Sequence, residues 1–509
     1  MSHPGMLHPR QPEPPPGIAG RAEPIIFSGF WGLKPFPPDL ADIQADRIVF
    51  SGQVLGFIKN IDEISHTDLH RDVLEIIEKG LEAADPEKVF PERLRLEGEK
   101  LYIMGREHRL AGRVYIIGIG KASGKMMNAI ERILGDRIYR GAIIVPKGYR
   151  VERKLNKIEI LEGEHPIPGK ATQRSSERIM EIIEEIGEGD TAVILISGGA
   201  SALFEIPAED LGIEDIAEIT QELLRSGATI EEINTVRKHL SRTKGGRLGK
   251  TLKRRKAHVI TLIMSDVVGD PIDIIASGPT APDPTTYCQA KEILRRRIGR
   301  KTSEKIERVI EKGCRGELEE TPKPGDLELE GISNIVIISN TDSLREMRRE
   351  SKARKYNTII LSNTIEGEAR EAGKILASIA KAMLRIGEPT KPPAVILAAG
   401  ETTVRVKGKG VGGRNQELAL SAGIKLKNER EAIVASIGSD GIDGNSIAAG
   451  GIGDHTLQSE ADALGIDLIE YLENNDSYTA LSRLKRTIVT GYTGINIGDL
   501  ILIASRRRE

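Results

Sequence analysis

Only two cysteines, Cys288 and Cys314, occur in 509 residues. That is too few for a disulfide framework or a cysteine-based zinc site. Aromatic residues make up 3% of the chain and tryptophan occurs once, at Trp31. No run of about 18 uninterrupted apolar residues is present, so no membrane-spanning helix is expected. Charge of one sign is not in excess either: 73 basic residues face 75 acidic ones, a formal net charge of −2. Without a basic half or a long basic run, the electrostatic footprint of a nucleic-acid binder is missing. The opening residues, MSHPGMLHPRQPEPPPG, contain no apolar segment of the secretory type, so a soluble cytoplasmic protein is expected.

What is present is length and glycine. At about 100–200 residues per domain, the chain should fold as two or three domains. Glycine accounts for 54 residues, above the roughly 7% of ordinary proteins, and it clusters after apolar runs. Residues 1–24 are rich in Pro and Gly without hydrophobic period and read as a flexible tail within an extension over 1–60. From residue 61 onward, Val- and Ile-rich runs at 114–120, 141–146, 192–197 and 258–265 alternate with helical periodicity. Continuously apolar strands between helices indicate a parallel sheet covered on both faces. A polar break near 316–325 precedes a second series at 334–339, 358–362, 394–399, 432–437, 487–490 and 499–504. Domains are therefore expected at 61–320 and 321–509, with the last strand either completing the second domain or returning to the first.

In open α/β sheets ligands gather beyond the carboxyl ends of the strands, which directs attention to the loops. After the first run, Gly118-Ile119-Gly120 leads into a helix at Lys121, where amide groups and the helix dipole favour an anion. It is neither a Walker A nor a full dinucleotide fingerprint, because Ser123 stands where the third glycine belongs and no acidic residue ends the next strand. After the third run, Ser197, Gly198, Gly199 and Ser201 supply hydroxyls and amides. Ala200-Ser201-Ala202 breaks the G-x-S-x-G elbow of serine hydrolases, so cradling of a phosphate or carboxylate fits better than nucleophilic catalysis. For both loops a plain strand-to-helix turn stays open. The stretch 234–250 carries Arg237, Lys238, Arg242, Lys244 and Arg247, either a solvated face or the wall of an anion site. Asp266, Asp270 and Asp273 follow the fourth run. Such carboxylates hold Mg²⁺ or serve as turn caps. In the second half Arg414 follows Gly412-Gly413 and precedes a helix.

Taken together, GIGKASG, EGEHPIPG, LISGGASAL, NTVRKHLSRTKGG, SDVVGDPIDIIASGPTAPDPTT, AAGETTV, GGRNQELAL and GSDGIDG resemble the class II glycerate kinases. This is the glycerate 2-kinase family with its characteristic C-terminal domain, and the resemblance covers roughly residues 62–506. It implies two α/β domains facing a cleft, the first a Rossmann-like, mainly parallel three-layer sandwich, the second smaller with a mixed sheet. It also implies phosphorylation of D-glycerate to 2-phosphoglycerate with ATP and Mg²⁺ or another divalent cation. Lys121 and Arg414 correspond to the family's catalytic cations, with Asp266 beside them. Gly118, Gly120, Ser197, Gly198, Gly199, Ser201, Gly412 and Gly413 are candidates for holding ATP. Arg237, Asn415 and Glu401 are candidates for the substrate, and Asp266 with Asp270 for the metal. The chain departs from the family at Asn445-Ser446-Ile447 and at Tyr492, Ile495 and Gly498, while Asn496 and Asp499 are retained.

Phosphoryl transfer asks mainly for positioning and charge stabilisation, which these loops supply. A nicotinamide-dependent hydroxypyruvate reductase and a non-catalytic small-acid binder are the alternatives. Neither a nucleic acid nor a membrane is expected as a partner, and homo-oligomerisation is left open.

Overall fold

The computed structural model describes residues 56–149, 157–429 and 431–506. The expected tail at 1–24 and most of the expected extension lie outside the described residues. Among the described residues, fifteen strands form three sheets. A small antiparallel meander joins β1 (Leu94–Glu97), β2 (Lys100–Ile103) and β3 (Arg106–Arg109). The first large sheet contains β4 (Val114–Ile119), β5 (Ile138–Pro146), β6 (Ile158–Gly163), β7 (Thr191–Ile196), β8 (His258–Met264) and β9 (Ser333–Ile338). Its order is β6-β5-β4-β7-β8-β9 and every pairing is parallel. The second contains β10 (Asn357–Glu368), β11 (Ala394–Thr403), β12 (Ala432–Gly438), β13 (Gly450–Asp454), β14 (Thr487–Ile488) and β15 (Asp499–Ser505). Its order is β10-β11-β15-β12-β13-β14, with β10 parallel to β11 and the other pairings antiparallel.

The apolar runs explain the layers. All six residues of β4 and of β7 are buried, as strands covered on both faces must be. One face of the first sheet packs Ile179, Ile182 and Ile183 of helix Lys170–Glu184 with Leu248 and Leu252 of helix Arg247–Arg254. The opposite face packs Met126, Met127 and Ile130 of helix Ser123–Leu134. In the second sheet Ile396, Val434 and Ile501 meet Leu376 and Ala380 of helix Ala369–Ile386, and Leu418 of helix Arg414–Leu426.

Helices Ile213–Arg225, Ile230–His239, Tyr287–Arg297 and Glu304–Cys314 emerge after β7 and β8 and share a separate core of Ile216, Leu223, Val236, Ile293 and Ile310. The two cysteines, too few for a framework, form one disulfide between the last two of these helices.

Three features depart from the expected division at 320. Strand β9, expected to open the second series, pairs with β8 and forms an edge of the first sheet. Helix Asp68–Glu82, expected in the first domain, packs instead against β15 and helix Asn340–Ala353. There His70 Nε2 lies 2.8 Å from Asp454 Oδ2, which also accepts from Arg486 Nε at 2.7 Å. Strand β15 does not return to the first sheet but lies at the centre of the second, between β11 and β12. An apolar stripe states that a face is buried; it does not state against which sheet.

No helix among the described residues is long and apolar enough to cross a membrane.

Candidate active site

Strands β4, β7 and β8 are adjacent and parallel, so the loops at their carboxyl ends lie side by side. The Lys121 amide donates to the Gly198 carbonyl at 2.9 Å. Ser197 Oγ, fully buried, accepts from the Ala122 amide at 3.0 Å. Its hydroxyl thus fastens one loop to the other. Gly120 sits at φ +122°, where a Cβ would lie 2.4 Å from that same Oγ, so this glycine is required by close approach. Gly118 packs its Cα against Ile143 inside the sheet. Asp266 follows β8 by two residues, and a Cβ on Gly198 would fall 1.7 Å from Asp266 Oδ2 and 1.9 Å from Asn496 Nδ2. Asn496 Nδ2 donates to that carboxylate at 3.0 Å.

The second sheet contributes the facing wall. Gly400 of β11 and Gly438 of β12 both pair with Asp499, the first residue of β15. Arg414, first residue of its helix, donates through Nε and Nη2 to the two Asp499 oxygens at 2.7 and 2.9 Å, and through Nη1 to Glu401 at 2.7 Å. Asp443 holds the start of this helix by accepting from the amides of Asn415 and Gln416 at 3.1 and 2.9 Å. Asn415 is buried, with Nδ2 donating to Asp499 and Oδ1 accepting from Ser436. It orients Asp499 from inside the fold, where the sequence expected contact with substrate. Gly413 packs against Asp443, and the Gly412 amide donates to Asn445 Oδ1 at 2.8 Å. Ser446 Oγ accepts from Gln416 Nε2 at 2.7 Å. Two of the residues in the unusual 445–447 segment therefore brace the Arg414 helix.

The two walls touch where Lys121 Nζ donates to Asp440 Oδ2 at 2.8 Å, Asp440 lying just beyond β12. Burial opposes the Lys121 charge, but Asp440 and then Asp266 outweigh it and raise its pKa. Burial, followed by the Glu401 carboxylate, pushes Asp266 up to about 7. Burial likewise lifts Asp499 to about 6 against the pull of Arg414, whose guanidinium stays charged between its two carboxylates. Four carboxylates thus gather around two cations.

Three other expected residues, Ser201, Arg237 and Asp270, are not among these contacts. Ser201 Oγ pairs with Ser277 Oγ at 2.8 Å, and its carbonyl accepts from Arg237 Nη2. Asp270 lies at φ +56° after Gly269. Among the described residues no group of three or more His, Cys, Asp or Glu could hold a metal ion by itself. The sequence assigns no role to Asp440, Asp443 or His165. The repeated Asp-Gly of GSDGIDG is the signal that could have found the aspartates, since such turns expose a carboxylate at a strand end. His165 lies beside Gly199 and Lys121: a Cβ on Gly199, at φ +81°, would meet Lys121 Cγ and His165 Cδ2, each at 3.1 Å.

Two α/β lobes joined across such a charged cluster define a two-lobed α/β enzyme with a polar site at its strand ends. The chain matches a domain of unknown function, DUF4147, over residues 72–311 and the MOFRL family over 394–499. It is 40% identical over 435 residues to a D-glycerate 2-kinase of Thermotoga maritima, covering 85% of this chain and 98% of that protein. It is also 40% identical over 444 residues to a glycerate 2-kinase of Pyrococcus horikoshii, covering 86% and 98%. The crystal structure of a Thermotoga maritima glycerate kinase superposes with a TM-score of 0.74 at 39% identity, covering 86% of this chain and 99% of that one. The chain belongs to the glycerate 2-kinase family.

Proposed function

We propose that the protein phosphorylates D-glycerate, giving 2-phosphoglycerate and ADP. The observation that carries this is the meeting of Lys121, Arg414 and Asp266, from separate strand ends of two lobes, in a chain so similar to a D-glycerate 2-kinase. ATP, when bound with Mg²⁺, supplies the γ-phosphoryl group and a metal that screens its charge. The C2 hydroxyl oxygen of glycerate forms the new bond to phosphorus as the bond to the β–γ bridging oxygen breaks, and the hydroxyl proton is released.

The protein contributes position and charge. Lys121, at a helix start after Gly-x-Gly, holds its ammonium where negative charge would be received. Arg414 offers a rigid fork already oriented by Asp499 and Glu401. Mg²⁺ fits the donor chemistry, since four carboxylates around two cations leave negative charge uncompensated. Asp266, raised to about 7 by burial and by Glu401, is where a divalent cation would relieve it most. Mg²⁺ takes one or two protein carboxylates and completes its shell with phosphates and water. We assign Asp266 to it first, with Asp270 secondary.

A reductase finds no support in the loop after β4. Ser123 Oγ there donates to the Ile144 carbonyl, and β5 ends at Pro146, followed by Lys147, without an acid for a ribose.

The test is incubation with D-glycerate, ATP and Mg²⁺. ADP and 2-phosphoglycerate should form together. No ADP, or 3-phosphoglycerate alone, would overturn the assignment.

A further inference from the structure

Behind the 197–201 loop lies a second group of charges that the transfer chemistry above does not use. Arg237 is 6% exposed, Lys244 1% and Glu205 0%. Lys244 Nζ lies 2.9 Å from Glu205 Oε2 and donates to the Phe204 carbonyl at 2.6 Å. Arg237 donates to the Ser201 carbonyl at 2.5 Å, its distance to Glu205 is 3.8 Å, and its Nε and both Glu205 carboxylate oxygens are buried without a hydrogen-bond partner. Two buried cations therefore share one carboxylate, and one positive charge is left over. Leaving a buried charge unpaired is costly, and proteins retain such an arrangement where something else completes it. The carboxylate-rich site around Asp266 has the opposite imbalance. The two clusters are joined by the loop carrying Gly198, Gly199 and Ser201.

Gly199 at φ +81° presents a bare Cα beneath Lys121 and His165. Burial, then Lys121, and more weakly Arg237, hold the His165 imidazole neutral, with its pKa pushed down to about 3. His165 thus feels both cations and stays a neutral hydrogen-bonding group.

We infer that the Arg237–Lys244–Glu205 cluster is the subsite that receives the carboxylate of the acceptor acid, with Arg237 as the receiving group and His165 beside it. This rests on the kinase reading, and it fixes the polarity of the acceptor: acid end toward Arg237, hydroxyl toward Lys121. A phosphate of the nucleotide shares the same anionic chemistry, so the test must separate the two.

The experiment uses the full chain, Arg237→Gln, Arg237→Lys and Glu205→Gln. Each substrate is varied at saturation of the other, and thermal shifts are recorded with D-glycerate alone. Arg237→Gln should raise the KM for D-glycerate at least tenfold, leave the KM for ATP within about twofold, and abolish the glycerate-induced shift. Arg237→Lys should fall between, and Glu205→Gln, which removes the competing carboxylate, should lower the KM for D-glycerate. An unchanged KM for D-glycerate in Arg237→Gln, or an equal or larger rise for ATP, would overturn the subsite. Should Arg237→Gln not fold, Arg237→Lys decides by the same split. If the wild type turns over no D-glycerate, the activity reading fails while the subsite is still judged. The thermal shift must then appear in the wild type and vanish in the variant, and no shift in the wild type overturns it.

Discussion

Lys121 Nζ and Asp440 Oδ2 meet at 2.8 Å although 319 residues separate them in the chain. One follows β4 of the parallel sheet and the other follows β12 of the mixed sheet. The contact joins the two lobes directly at the candidate site. The Lys121 side chain remains 26% exposed, so a ligand can compete with Asp440 for its ammonium.

Lys121→Ala should lower kcat by about 10²-fold or more, the scale of a lost electrostatic contact in a preorganised site. Because the ion pair is partly exposed, its loss should cost about 1 kcal/mol or less in stability. Steady-state kinetics with thermal melts check both. A kcat within twofold of wild type would remove Lys121 from the mechanism.

Arg414→Ala should cost both activity and stability. Asp499 is 1% exposed, and stripping its guanidinium leaves a buried carboxylate unpaired, worth about 3–5 kcal/mol. Arg414→Lys keeps the charge and should recover stability better than kcat, since a point charge cannot serve Asp499 and Glu401 as the fork does. Equal recovery of both would reduce Arg414 to a structural role.

Asp266→Asn should lower kcat by about 10²-fold and raise the Mg²⁺ concentration required for half-maximal rate. Gly198→Ala offers an independent route to the same group. Its Cβ would fall 1.7 Å from Asp266 Oδ2, so the carboxylate must move and the Mg²⁺ requirement should rise there too. Wild-type Mg²⁺ dependence in both variants would leave Asp266 as a turn residue.

His165 sets a pH dependence of stability. In the unfolded chain its imidazole takes a proton near pH 6.5, whereas in the fold burial and Lys121 delay this until about 3. The unfolded state therefore binds more protons between these values, and stability must fall as pH is lowered from 6.5 toward 3. It is fully present above 6.5. His165→Gln should flatten the Tm profile across that window. An unchanged profile would show that the native imidazole titrates normally.

Asp454→Asn should destabilise the fold by about 3–5 kcal/mol, because it strips the buried Arg486 and His70 of their shared carboxylate. Chemical denaturation reads this directly. Kinetics of the fraction that stays folded should be unchanged, since the triad fastens helix Asp68–Glu82 to the second sheet and takes no part in transfer.

Much of this molecule is determined locally and can be read from a string. Continuously apolar runs such as 192–196 dictate strands buried on both faces, and glycine after such a run dictates a tight turn. Thr229 and Thr286 close their helices with capping boxes whose partners lie three residues on. Lys121, Arg414 and Asp266 stand out for the same reason: each follows an apolar run or a glycine pair. Pairing across hundreds of residues has no such local mark. Nothing near Lys121 names Asp440, and nothing in 333–338 says that this strand joins the first sheet. The stripe on helix Asp68–Glu82 does not name Asp454 as the partner of His70. Asn415 and Ser197 look like ligand-facing groups in sequence. Folding spends their polar atoms on Asp499 and Ala122, because a buried polar group must find a partner and the nearest in space is distant along the chain.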